Sequence, residues 1–130
     1  MTRYGEAGHE VHGKPAGTVM AVAFELDGQA FTALNGGPLF KFNEAISFQV
    51  SCETQEEVDY YWEKLSEGGD APAQQCGWLK EKYGVSWQVV PTVLLAMLND
   101  PASEKSQRAM EAMLQMKKID IEKLTRAYAG

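Results

Sequence analysis

The chain has 130 residues, of which 45% are hydrophobic and 23% charged, a composition typical of one globular domain rather than of a disordered segment. Its formal net charge is −6, and an acidic chain without a Lys/Arg stripe repels phosphate groups, so we predict no nucleic-acid partner. No apolar run approaches the ~20 residues that cross a bilayer, and the first residues lack the apolar stretch of a signal peptide. We therefore predict no membrane partner and a cytoplasmic location.

The first part of the chain predicts a loop followed by a hairpin. Residues 3–17 are glycine-rich and polar, and we assign residues 1–17 to a mobile N-terminal loop. Residues 18–26 and 29–35 are predicted strands. Asp27 and Gly28 between them are typical of a type I′ turn, which requires positive φ at both central residues.

A half-buried strand is predicted over residues 46–52, because apolar and polar residues alternate there. Apolar side chains share one face and polar side chains the other. Thr54 and Glu57 then have the spacing of a capping box, and the residues that follow have helical periodicity, ending before Gly68 and Gly69. We expect this helix to cover the apolar face of the strand. The apolar face comprises Ile46, Phe48, Val50 and Cys52, the polar face Ser47, Gln49 and Ser51, and the helix stripe Val58, Tyr61, Trp62 and Leu65.

Two tryptophans mark the last hairpin of a sheet, within the segments 76–79 and 84–91. The element order from residue 46 is thus β-α-β-β-β, followed by helices over residues 92–130. Thr92 is predicted to cap a short helix that runs through Leu98. Asp100 is predicted to cap a second helix with Pro101 at its first position, and Asp120 a third. The second helix is predicted to have an apolar face with basic residues in its last turn. That face comprises Ala109, Met110, Met113 and Met116, and the basic residues are Lys117 and Lys118.

Several motifs resemble the PhnB-like branch of the vicinal oxygen chelate superfamily, which includes glyoxalase, bleomycin-resistance and dioxygenase proteins. The branch is often catalogued as 3-demethylubiquinone-9 3-methyltransferase. The motifs span residues 3–91 and include FELDG (24–28), LNGGP (34–38), FKFN (40–43), AISF (45–48), QEEVD (55–59), CGWL (76–79) and GVSWQ (84–88).

The resemblance implies an α+β fold of glyoxalase-like βαβββ half-barrel modules, with a small-molecule cavity and a homodimer. It implies residues 1–91 as the domain, with residues 92–130 as a helical tail packed on that domain or on a dimer partner. The usual first strand and helix of the family are not found before Arg3, so we expect the first module to be truncated. A strand lost in this way would leave an unpaired edge, which favours pairing with another chain.

The resemblance also indicates where a metal would bind, and the residues there do not suit one. Ala45 stands where metal-binding members typically place a histidine, and Gln88 where a ligand glutamate is expected. Residues 29–43 contain no acid and no histidine. We therefore predict no metal and no cofactor. His9 and His12 lie in the N-terminal loop, and we interpret them as solvated residues rather than as ligands.

Neutral polar side chains on the predicted strands are the alternative binding groups, with the tryptophans as aromatic surfaces for a small polar-aromatic ligand. They could equally line a water-filled groove. Cys52 is predicted to be a buried thiol and Cys76 a more accessible one, and neither is assigned a catalytic role; the catalytic residues stay unknown. The candidate ligand-binding residues are Asn35, Ser47, Gln49, Ser51, Trp78, Ser86, Trp87 and Gln88.

The first functional hypothesis is a metal-free small-molecule-binding protein. The alternatives are an enzyme of the superfamily, of the lyase, isomerase or dioxygenase type, and a structural dimer without a ligand. The catalogued methyltransferase activity is a further alternative, which the sequence does not support because no glycine-rich loop joins a strand to a helix.

Overall fold

A computed structural model describes all 130 residues, which form two compact units, Met1–Lys41 and Phe42–Gly130. Each contains a three-stranded sheet, so the predicted α+β fold class is confirmed. None of the helices is both long and apolar enough to cross a membrane.

The first unit is an antiparallel sheet in the order β1-β2-β3, formed by Thr2–Arg3, Val19–Leu26 and Gln29–Leu34. Asp27 has φ 48° and Gly28 has φ 78°, so the predicted hairpin turn is confirmed. Phe24 and Phe31 stack across the hairpin with ring centroids 5.5 Å apart. No residue of this unit is buried, so the unit has no core of its own.

Residues 1–17 contain more regular structure than a loop. They include β1 and the one-turn helix α1, His9–His12. The segment is joined to β2 because Tyr4 N–H donates to Thr18 O at 2.8 Å, and Arg3 Nη1 donates to Gly17 O at 2.8 Å. The mobility expected for this segment stays a prediction.

The second unit begins with β4, Ser47–Cys52, and helix α2, Gln55–Ser66. The capping box is present, because Glu57 N–H donates to Thr54 Oγ1 at 3.2 Å. Its return hydrogen bond runs from Glu53 N–H to Glu57 Oε2 at 2.7 Å, one residue before the cap. The first four N–H groups of an α-helix lack partners within the helix, and the bond to Thr54 satisfies one of them. The bond from Glu53 fixes the chain just before the cap.

The sheet of the second unit has the order β4-β6-β5, with β5 at Trp78–Lys80 and β6 at Ser86–Pro91. β4 and β6 are parallel, whereas β5 and β6 are antiparallel. The predicted β-α-β-β-β order was wrong by one strand. Between α2 and β5 the chain forms a 3-10 turn, Ala71–Ala73, instead of a strand, and Pro72 has no N–H to donate to a ladder.

Adjacent residues of β6 contribute to two different cores. Val89 packs with Cys52, Val58 and Leu79 on the side covered by α2. Val90 packs instead with the helices that follow the sheet. Because successive strand residues point to opposite faces, β6 lies between α2 and the C-terminal helices. The second cluster comprises Val90, Leu94, Met97, Ala109, Ile119 and Leu124.

The C-terminal helices are α3, Thr92–Met97, α4, Glu104–Leu114, and α5, Ile121–Ala129. Asp120 caps α5 as predicted, accepting from Lys123 N–H at 3.0 Å. The predicted start of α4 was wrong. Asp100 accepts instead from Ala102 N–H at 3.2 Å, and its carbonyl accepts from Ser103 N–H at 3.1 Å, which forms a turn before the helix begins.

The predicted end of α4 was also wrong. The helix stops at Leu114, so Met116, Lys117 and Lys118 lie beyond its last turn. Met116 still packs against the core of the C-terminal helices, and Lys118 Nζ forms an ion pair with Asp59 Oδ1 at 2.8 Å. The periodicity assigned Met116 and Lys118 to a helix, but in the structure they make tertiary contacts instead. Met116 packs in the cluster that contains Val90 of β6, and Lys118 pairs with Asp59 of α2.

Candidate ligand-binding face

The strand register of the second unit aligns polar side chains in rows across its sheet. Ser47 of β4 pairs with Ser86 of β6, which pairs with Lys80 of β5. The next row is Gln49, Gln88 and Trp78, and Ser51 follows beside Val90. Paired residues of neighbouring strands point to the same side of a sheet. We call this surface the polar face: Ser47, Gln49, Ser51, Trp78, Lys80, Ser86 and Gln88.

One hydrogen bond orders the centre of the polar face. Gln88 Nε2 donates to Ser47 Oγ at 3.0 Å, which joins β6 to β4 through side chains. Gln49 and Ser51 are exposed, Ser86 is buried, and the Trp78 residue is 37% exposed. An accessible indole therefore lies in the same row as two carboxamides.

An ion pair lies at the Ser47 end of the polar face. Lys80 Nζ donates to Glu44 Oε1 at 2.5 Å. The hydrogen bond from Lys80 lowers the pKa of Glu44 below its ordinary value, and the same bond to Glu44 raises the pKa of Lys80. Both groups are therefore charged around neutral pH. Sequence reasoning missed them, although Lys80 lies two residues after Trp78 in one strand and so shares its face.

Six of the eight predicted residues lie on the polar face. Trp87 does not, because it alternates with Ser86 and Gln88 along β6. Its ring lies on the opposite side, 5.1 Å from the Phe48 ring between centroids, and packs against the core beneath α2. Trp87 thus contributes to packing there rather than to the row of polar groups.

Asn35 belongs to the first unit, where its groups hold strand ends together. Asn35 Nδ2 donates to Val19 O at 3.0 Å, and its carbonyl accepts from Tyr4 Oη at 2.6 Å. These bonds join the end of β3 to the start of β2 and to the segment after β1. The side chain has a structural role in its own unit.

The two histidines do not form part of a metal cluster. His12 Nδ1 accepts from Lys14 N–H at 3.0 Å, so its Nε2–H is the donor to Ala7 O at 3.2 Å. The His12 ring also stacks on Tyr4, with centroids 4.4 Å apart. No group of three His, Cys, Asp or Glu side chains that could hold a metal ion occurs in the chain.

Two cavities of the second unit lie near the sheet. One of about 580 Å³ lies between the starts of α2 and α5 and is lined by Gln55, Asp59, Lys118 and Asp120, among others. Another of about 310 Å³ borders the polar face at Lys80 and is lined also by Gly69, Asp70 and Glu81. Within the polar face, Ser86 is buried, whereas Gln49 and Ser51 are exposed.

The architecture, with two three-stranded sheets and five helices, is of the α+β class. Residues 1–90 match the family model described as 3-demethylubiquinone-9 3-methyltransferase. A solved structure of the PhnB protein from Bacillus cereus is similar, with 36% identity and a TM-score of 0.55, over 70% of this chain and 75% of that one. No curated protein matches. The chain belongs to this PhnB-like family, as its motifs predicted. The activity in the family description is a catalogue name, and neither comparison assigns a ligand.

Proposed function

We propose that the chain is a small-molecule-binding protein of the glyoxalase/bleomycin-resistance fold that binds its ligand on the polar face without the superfamily metal. The observation that carries this proposal is the alignment of Gln49, Gln88 and Trp78 in one row across the sheet. An aromatic plane beside two carboxamides suits a flat ligand with polar edges, since stacking and hydrogen bonding act together.

The hydrogen bond between Gln88 and Ser47 supports the proposal because it orients both groups before a ligand arrives. Gln88 Nε2 is engaged with Ser47 Oγ, so Gln88 Oε1 is free to accept and the Ser47 hydroxyl hydrogen is free to donate. Preorganised groups lose less conformational entropy on binding. A ligand with a neighbouring donor and acceptor, such as an aromatic amide, matches this pair.

Metal-free binding is favoured by the chemistry of the face. Its side chains are mainly hydroxyl and carboxamide groups, which are weak ligands for a divalent ion beside carboxylate or imidazole. The nearest carboxylate, Glu44, is engaged by Lys80. A cation there would have to displace the ammonium group before it could bind.

Methyl transfer is not part of the proposal. Nucleotide-like methyl donors are typically held by a glycine-rich turn between a strand and a helix. In this chain β4 is joined to α2 by Glu53 and Thr54, and β6 runs directly from Pro91 into α3. Neither junction contains a glycine. Micromolar binding of S-adenosylmethionine in a calorimetric titration would contradict this interpretation.

The working form of the protein is proposed to be a homodimer in the cytoplasm. The outer edges of β3 and β4 are unpaired in their sheets, and the first unit exposes Phe24 and Leu34 without burying any residue. Such edges and apolar side chains favour cover by a second copy. Free Cys52 and Cys76 are compatible with a reducing compartment.

The domain assignment is likewise retained as a proposal, with residues 1–91 as the family domain and residues 92–130 as a tail packed on it. It is supported by the packing of Val90 of β6 against Leu94 of α3 and Leu124 of α5 in one cluster.

The ligand proposal is tested by screening planar aromatic acids and amides by thermal shift, followed by amide chemical-shift mapping of each hit. Shifts should cluster on β4, β5 and β6. Gln88→Ala should weaken a hit by about tenfold, the effect of losing an oriented hydrogen bond of ~1.4 kcal/mol. Tyr60→Ala, at an exposed position of α2, is the control and should change nothing. Hits whose shifts map elsewhere would contradict the proposal, and so would a stoichiometric divalent ion on the face.

A further inference from the structure

The C-terminal helices form an apolar groove that the proposed ligand-binding face does not involve. A cavity of about 280 Å³ lies where the α3–α4 connection meets α4, lined by Leu98, Pro101, Ser106, Gln107, Met110 and Glu111. Its one buried polar residue, Ser106, donates its hydroxyl to Met97 O at 2.6 Å and so does not require water. We call this cavity, together with exposed Leu95 and Leu114 beside it, the tail groove.

Three apolar side chains of the tail groove are accessible to solvent. Leu95 is 53% exposed, Leu114 51% and Met110 39%. Met110 and Leu114 are four residues apart and therefore lie on one face of α4. Ala109, the residue before Met110, points about a quarter turn away from it and is fully buried in the core. An exposed apolar ridge beside a cavity is typical of a surface that receives a partner helix.

The charged side chains of α4 differ in what they contact. The basic residues face α5, where Arg108 donates to Ala127 O at 2.9 Å and to Tyr128 O at 3.0 Å, and Lys105 Nζ lies 5.8 Å from the Tyr128 ring centroid. Glu104 and Glu111 are exposed, and their separation of seven residues places both along the groove side of the helix. The tail groove thus has an apolar centre and an acidic flank.

We propose that the tail groove binds an amphipathic helix of another protein, with a Leu/Met-type face and a Lys/Arg flank. The apolar face would cover Leu95, Met110 and Leu114, and the basic flank would pair with Glu104 and Glu111. Opposite charges along a helical seam determine which partner and orientation are accepted. The tail groove lies outside residues 1–90, the part matched by the family model.

A second copy of this chain is a poorer occupant. Two α4 helices packed antiparallel, as their dipoles favour, would bring the acidic flank of one close to the acidic flank of the other. Glu104 of one copy would then approach Glu111 of its partner, and like charges at a seam are destabilising. The exposed carboxylates of Glu104 and Glu111 favour a basic partner for this reason.

The test uses a fluorescent leucine–lysine helical peptide of ~18 residues, about five turns, and a twin with glutamate in place of lysine. Fluorescence anisotropy at low salt should show binding of the lysine peptide only. Glu104→Lys with Glu111→Lys should weaken that binding by about tenfold or more, because the flank reverses its sign. Leu114→Ser, at a half-exposed position, should weaken it without affecting the fold.

The matched control is Glu56→Lys with Glu63→Lys, which reverses two exposed acids at the same spacing on α2. That variant should bind the peptide like the unmodified chain, and peptide-induced amide shifts should map to α3 and α4. Equal weakening by both double variants would show general attraction to an acidic protein and overturn the proposal. Dissociation of a homodimer by Met110→Glu, measured by sedimentation, would show a second copy in the groove and overturn it as well.

Discussion

Ile121 N–H donates to Gln55 Oε1 at 2.8 Å, which joins the first residue of α5 to the first residue of α2 across 66 positions of sequence. The amide of the same side chain donates to Ile119 O at 3.1 Å and to Asp59 Oδ1 at 2.9 Å. One glutamine thus fixes the start of both helices and the link that precedes α5.

Gln55→Ala is expected to lower the free energy of unfolding by about 1–3 kcal/mol, because it leaves half-buried backbone groups at residues 119 and 121 without their partner. Chemical denaturation followed by circular dichroism measures this change. The matched control is Gln107→Ala, at an exposed position of α4, which should change the midpoint little. Equal effects of both substitutions would contradict the role assigned to Gln55.

Gly77→Ala is expected to destabilise the second unit by about 2 kcal/mol or more. Gly77 has φ 84°, and a Cβ there would lie 3.0 Å from Val89 O and 3.2 Å from Ile119 Cγ1. Gly84→Ala separates the cost of the positive φ from the cost of the close approach. Gly84 also has a positive φ, but the atom nearest to an added Cβ would be Phe42 Cβ at 3.9 Å. Denaturation midpoints should rank Gly77→Ala clearly below Gly84→Ala, and the reverse order would be inconsistent with the close approach.

The two cysteines are expected to differ in reactivity. Burial raises the pKa of the Cys52 thiol, and the nearby charge of Glu57 adds to that effect. Cys52 is fully buried, whereas Cys76 is half-buried in a turn. Iodoacetamide followed by peptide mass spectrometry should label Cys76 in the native protein and Cys52 only after denaturant is added. Labelling of Cys52 at the rate of Cys76 would show that the core beneath α2 opens readily.

The ion pair of Glu44 and Lys80 predicts a pH dependence with a definite sign. Because the folded-state pKa of Glu44 is lowered from 4.5, the pair contributes stability above pH 4.5 that is lost as the pH falls through the lowered value. Carboxyl chemical shifts over an acid titration should report this lowered pKa. In the variant Lys80→Met the Glu44 pKa should return towards 4.5, and an unchanged titration would contradict the pairing.

Local chemistry predicted much of the fold. Asp27 with Gly28, Thr54 with Glu57, and Asp120 each act within four residues, so their signals are complete in the sequence. The start of α4 was harder because Asp100 and Ser103 both precede a helical stretch, and only the hydrogen bonds of Asp100 show that it forms a separate turn. Helix propensity alone does not show which of two neighbouring cap residues begins the helix.

The candidate site was also predicted only in part from the sequence. The period of two in β4 placed Ser47, Gln49 and Ser51 together, and the parallel register then added Ser86 and Gln88. The same alternation assigns Trp87 to the other face, but its size suggested a ligand contact. Glu44 and Lys80 meet across 36 positions, and a contact of that kind depends on strand order, which one sequence does not reveal.

The junction between sheet and tail has a practical consequence. β6 enters α3 without a linker, and the turn at Cys76 and Gly77 donates both its N–H groups to Met116 O and Lys117 O, each at 2.8 Å. A shortened gene that stops after Pro91 would strip the cover from Val90 and orphan those two donors. Recombinant fragments cut to the family-matched segment should therefore precipitate, and a stable fragment should keep residues 92–130.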